Sequence, residues 1–146
     1  ASRSLGAGAG LLVRADSPLI DPAILQRVVD LVLMTDGMLD FVGTTLARSY
    51  PRGMDVEACT IAALEDADRR CADIATRGDA AAYLRQNSRL YRLLTVAAEE
   101  GLARPDLGFE LRGDADSEAI AKILDHFDGR NDISLRELID FRDGRA

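Results

Sequence analysis

A chain of 146 residues with 47% hydrophobic and 29% charged residues can bury one core and reads as a soluble globular protein. Its net charge of −7, with basic residues scattered among acids, argues against a nucleic-acid-binding face in this segment. The longest apolar runs, Val28-Val29 and Leu31 to Met34, are split by Asp30 and too short to span a membrane.

Residues 2–16 open the chain with Gly6, Gly8 and Gly10 alternating with alanine, then the apolar run Leu11-Leu12-Val13. A phosphate-cradling glycine loop needs a strand before it, and none precedes this one, so the segment reads as a lead or a short hairpin. Nothing from Ala1 to Gly10 has the apolar core of a secretory signal. The chain does not begin with Met, which reads as a processed chain or a piece of a longer one. Asp21-Pro22 is a helix start, with a capping carboxylate and a proline at the first helical position. Ile24, Val28, Leu31, Val32, Leu39, Val42 and Leu46 continue at helical spacing, with a bend at Asp36-Gly37 and a stop at Pro51-Arg52-Gly53. Asp55 starts a second helix carrying Ile61, Leu64, Cys71 and Ile74.

Gly78 ends that helix and Asp79 caps the next, whose inward stripe is Leu84, Asn87, Tyr91, Leu94 and Ala98. An amide and a phenol one turn apart on an apolar face need bonded partners, from protein, water or ligand. Arg104 to Asp116 reads as loop, with an extended piece at Phe109 to Arg112. Ser117 begins a helix with Ile120, Ile123, Leu124 and Phe127 inward. Ser134 and Glu137 give the last helix a capping box, with Ile133 and Leu138 as its staple. The sum is an all-α bundle of five or more helices, with at most a short β-hairpin at the N-terminus.

Catalytic constellations are scarce. Cys59 and Cys71, placed on one helix, would stand about 18 Å apart, beyond the roughly 7 Å a disulfide spans, and they read as small buried apolar residues of a protein kept reduced. His126 is the only histidine. The segment Asp125 to Glu137 has the outline of an EF-hand, but that register puts His126 and Arg130 at oxygen-ligand positions, so it reads as an interhelical turn. Glu65, Asp66 and Asp68 read as a solvated helix face. No serine has a histidine near it in the sequence, and no nucleophile elbow is present. The chain is therefore expected to be no enzyme and to need no cofactor and no metal.

One family resemblance stands on these residues. Gly78-Asp79, Asn87, Leu90-Tyr91 and Ala97-Ala98 resemble in order and spacing the ligand-binding (FCD-type) domain of GntR-family bacterial transcription regulators. Leu39-Asp40 resembles that family's early Leu-Glu helix, and Gly6 to Val13 resembles the wing that ends its DNA-binding domain. Tyr91 stands where the family has a metal-ligand histidine, which implies a degenerate, metal-free site. The resemblance implies a wing-like linker over 1–16 and a helical effector-binding and dimerisation domain over 17–146. It further implies a small carboxylate-type effector bound by Asn87, Tyr91, Asp36 and Asp40, and a cytoplasmic homodimer through the first helical region. DNA would be contacted only through a domain outside this chain. The alternative is a helical protein-interaction module without a small ligand, presenting the apolar stretch from Ile24 to Leu46.

Overall fold

Met54-Asp55-Val56-Glu57 alternates apolar with polar, and that short signal of period two marks the centre of the fold. A computed structural model describes residues 8–145. Among them, β1 (Ala9–Val13), β2 (Phe41–Gly43), β3 (Val56–Thr60) and β4 (Leu93–Thr95) form one mixed sheet in the order β1-β3-β2-β4. β3 is antiparallel to β1 and β2, with Leu12 opposite Glu57 and Phe41 opposite Cys59. β4 runs parallel to β2, with Phe41 opposite Leu93. The chain is thus α/β, and the expected all-α bundle is corrected.

Three stretches expected as helix are strands: β2, β3 and β4. A short apolar run buried on both faces carries no periodicity that separates strand from helix. All three residues of β2 are buried, so Val42 satisfies a helical stripe and a central strand equally well. Gly43 is required there, since a Cβ would stand 2.8 Å from the Phe41 ring and 3.0 Å from the Val56 carbonyl. Asp55 therefore caps no helix. The helix after β3, α2 (Ile61–Arg70), is capped by Thr60, whose hydroxyl accepts from the Ala63 amide at 3.2 Å. Cys59 lies on β3 and Cys71 just beyond α2, so the two never share a helix.

The expected starts at Asp21 and Ser134 do form helices. α1 (Pro22–Thr35) stops where Asp36 and Gly37 take left-handed φ values of 41° and 75°. The capping box of α6 (Leu135–Arg142) is complete. Asp21 ties the two helices together: one carboxylate oxygen accepts from the Ala23 amide at 2.8 Å and the other from the Leu135 amide at 2.7 Å. Between them in the chain lie α3 (Ile74–Arg77), α4 (Ala82–Gln86) and α5 (Asp114–His126). Ser117 sits inside the first turn of α5 rather than at its cap.

Strand parity sorts the core into two clusters. Val42, Val56 and Ala58 join Ile24 and Val28 of α1 and Ile120, Ile123, Leu135, Leu138 and Ile139 of α5 and α6. Phe41 and Cys59 join Ala63 and Ala67 of α2, then Ala81, Leu84 and Tyr91. The surplus apolar surface expected to make a dimer through the first helix is therefore partly core, with Ile24 and Val28 buried and α1 packed on β2 and β3. Residues 1–7, which carry the first part of the wing-like segment, lie outside the described residues. No helix among the described residues is long and apolar enough to cross a membrane.

Candidate functional site

β1, β2 and β4 point the same way, so their carboxyl-terminal ends share one edge of the sheet with the start of β3. In α/β sheets such an edge is where ligands bind, because the loops that leave it are free to carry polar groups. Here the loops carry arginines and carboxylates. Arg14, Asp16 and Ser17 follow β1; Thr45 and Arg48 follow β2; Asp55 and Glu57 open β3. Together with Asp79 and Arg85 from the α3–α4 region, most of these line an open cavity of about 390 Å³.

Each acid in this basin is held by a guanidinium. Arg14 donates from Nε to Asp16 Oδ1 at 3.0 Å and from Nη2 to Oδ2 at 2.6 Å. Arg48 forms a fork on Asp55, with Nη1 to Oδ1 at 2.9 Å and Nη2 to Oδ2 at 3.0 Å. Arg85 Nη1 donates to both Glu57 oxygens at 2.7 Å, its Nη2 donates to Asp79, and the Thr45 hydroxyl donates to Glu57 as well. Beside the cavity, Glu110 accepts from Arg52 Nε at 2.7 Å and pairs with Arg112 at 2.8 Å.

The electrostatics follow the pairing. The Arg14 hydrogen bond holds Asp16 below the usual carboxylate range. Burial pushes Asp79 up, but Arg85 and the Ala81 amide outweigh it and Asp79 ends lower. Arg48 is driven further into its charged form, first by the hydrogen bond to Asp55. Asp55 and Glu57 lie deeper than their partners, with side chains 12% exposed against 36% for Arg48 and 24% for Arg85, whereas Asp79, at 51%, is the outer acid of the cavity. Among the described residues, no three His, Cys, Asp or Glu side chains converge as a metal site. The Cys59 thiol, pushed up to about 12 chiefly by burial, is no thiolate nucleophile.

The residues singled out from the sequence sit elsewhere and apart. α4 ends at Gln86, so Asn87 and Tyr91 do not share a helix face. The Asn87 amide donates to the Tyr83 carbonyl at 2.8 Å. Tyr91 is buried, edge-on to Tyr83, with its hydroxyl donating to Asp66 at 3.0 Å. Asp36 is exposed at the end of α1. Asp40 receives the Arg92 amide at 2.8 Å and its guanidinium at 3.0 Å. None of the four lines the cavity between the strand ends. His126, exposed, lies 4.8 Å from the rings of both Phe127 and Phe141. The basin residues escaped sequence reading because they come from four separated segments. One signal was available: arginine and carboxylate recur together beside strands, just after β1 at Arg14-Ala15-Asp16 and leading into β3 at Arg52-Gly53-Met54-Asp55-Val56-Glu57.

No family model and no curated protein matches this chain. Among solved structures it is similar to the structure of a cytidylyltransferase from Leptospira borgpetersenii serovar Hardjo-bovis (strain JB197), with a TM-score of 0.90 and 24% identity. The likeness covers 98% of this chain and 59% of that one, so the chain spans little more than half of its neighbour's length. What the two share is the fold. That is enough to set aside the GntR resemblance. An α/β sheet superposes on this chain almost end to end, whereas the FCD-type domain was expected to be helical throughout. The reading as a non-enzymatic effector domain of a transcription regulator loses its ground with it. The associated effector, the homodimer and the DNA contacts through an outside domain fall too, as does the helical interaction module, because each was argued from an all-α chain.

Proposed function

We propose that this chain is part of a nucleotidyltransferase-type enzyme and that its basin receives the phosphate-bearing end of a nucleotide substrate. The observation that carries the reading is the cluster of Arg14, Arg48 and Arg85 around one open cavity at the carboxyl-terminal strand ends. The likeness to a cytidylyltransferase structure supports it, and so does the fit of guanidinium forks to phosphate oxygens. In this reading Arg14 and Arg48 meet the anion, while Arg85, Thr45 and Glu57 form a fixed floor. The catalytic role is one of positioning and charge stabilisation, which is most of what phosphoryl-type transfer asks of a protein. A cytoplasmic setting belongs to the same proposal, since Cys59 and Cys71 are both free.

The test is a titration of the labelled protein with CTP and CMP followed by amide chemical shifts. Shifts confined to Arg14, Thr45, Arg48 and residues 78–80, with those of α5 and α6 unmoved, are expected. Saturating nucleotide that leaves the basin amides unmoved overturns the proposal.

Nucleotidyl and phosphoryl transfer are commonly assisted by divalent cations held on carboxylates. The donor set here does not fit that group. Asp16, Asp55, Glu57, Asp79 and Glu110 are each engaged by an arginine, and no three of them converge.

A further inference from the structure

That mismatch has a constructive side. We propose that guanidinium groups of Arg14 and Arg48 take the place of a divalent cation in this basin, so that it binds a phosphate-type anion without metal. The inference rests on the nucleotidyltransferase reading for the identity of the anion as phosphate.

Three observations carry it. First, the acids are already neutralised. A divalent cation reaching Asp55 would have to displace the Arg48 fork from a carboxylate that is 12% exposed, and one reaching Asp16 would have to displace Arg14. Each displacement gives up a two-point, charge-assisted ion pair. Second, the pairing leaves donors to spare. A guanidinium has five N–H groups in a fixed fork, and Arg48 spends only one from each Nη on Asp55. Arg14 binds Asp16 through Nε and Nη2 alone, leaving Nη1 without a hydrogen bond to any described residue. Third, the depth order is that of an anion site. In the two pairs concerned the carboxylate is the less exposed partner, 12% against 36% for Asp55 and Arg48 and 26% against 63% for Asp16 and Arg14, and it orients an arginine whose outer edge faces the cavity and the solvent. Asp16 and Asp55 are then positioning residues: they fix the rotamers of two long side chains before the anion arrives, so less entropy is lost on binding.

The experiment uses inorganic pyrophosphate as the probe, titrated calorimetrically into the whole chain in EDTA and again in magnesium. Binding is expected in EDTA, with no gain from magnesium. Arg48→Gln should weaken it about tenfold or more, the loss expected for one charge-assisted hydrogen bond. Arg14→Gln, which touches a separate ion pair, should weaken it in the same direction, so the proposal remains testable if one variant fails to fold. Arg130→Gln, whose partners are Asp132 and Glu137, should leave it unchanged. Added manganese should not selectively broaden the resonances of Asp16, Asp55 or Glu110. Binding seen only with magnesium, binding in neither buffer, or selective broadening at those acids overturns the inference. CTP shifts in the basin that persist under any of those outcomes would leave the nucleotidyltransferase reading standing while this inference falls.

Discussion

The two faces of the sheet are built from different materials. On one, Val42, Val56 and Ala58 meet Ile24, Val28, Ile120, Ile123, Leu135, Leu138 and Ile139, a closed core of branched side chains. On the other, Phe41 and Cys59 meet Ala63, Ala67 and Ala81, with Leu84 and Tyr91 the only large partners buried there among the described residues. Glu57 has the parity of Cys59, so the strand that closes the first core directs its acid to the second face. Alanines bring α2 close to the sheet but fill little volume. Open space and charge therefore collect at the edge of that face. The difference teaches where this protein places stability and where it places chemistry: functional clefts are drawn from the less tightly packed regions of a fold.

Three changes grade that contrast. The largest effect belongs to the branched core. Leu138 is fully buried, and Leu138→Ala should cost about 2–5 kcal/mol, read as a lower urea midpoint, with nucleotide shifts in the basin preserved while the protein is folded. A smaller effect is expected on the alanine face. Tyr91→Phe removes one hydrogen bond to Asp66, which keeps Arg69 and Arg70, and should cost about 0.5–1.5 kcal/mol. If Tyr91→Phe proves more damaging than Leu138→Ala, the ranking of the two faces is wrong.

The same phenol gives a pH signature. Burial first, then the Asp66 hydrogen bond, push Tyr91 up to about 12 from 10.0. Its folded-state value is raised, so the stability it contributes is complete below pH 10.0 and is lost as pH rises through about 12. Tyrosinate absorbance should therefore lose a late-titrating component in Tyr91→Phe, while Tyr50, also raised by burial, keeps its own. The smallest effect lies at the start of α6. Bonds from the Ser134 hydroxyl and amide, then from Arg130, lower Glu137 to about 2 from 4.5. Its contribution is present above pH 4.5 and lost as pH falls towards about 2. Ser134→Ala should flatten that acid limb of the stability profile. An unchanged acid limb in Ser134→Ala would show that the capping box contributes nothing to the branched face.

Much of that face was legible in the chain. Asp21-Pro22 and Ser134 to Glu137 announced α1 and α6 because capping is local chemistry, settled by groups within three or four residues of each other. Ile24 and Val28, or Ile120 and Ile123, announced buried helix stripes by their spacing. Apart from β1, which falls in the N-terminal stretch read as a lead or a short hairpin, the strands did not declare themselves. Three-residue β2 and β4 are too short to show a period of two, and only their pairing across 52 residues of chain, Phe41 with Leu93, makes them strands. The stripe Leu84, Asn87, Tyr91, Leu94 has helical spacing, yet α4 ends at Gln86, and Leu84 and Tyr91 pack in one core cluster while Leu94 packs in the other.

What the sequence determined by itself, then, is the set of helix starts, the branched core positions and the arginine–carboxylate richness of the loops, all of which rest on interactions between near neighbours in the chain. What only the tertiary structure decided is that Arg14, Arg48, Asp55, Glu57 and Arg85 face one cavity. They come from loops that the sheet order brings to a single edge, and a sheet order is fixed by hydrogen bonds between strands far apart in sequence, which no local pattern records.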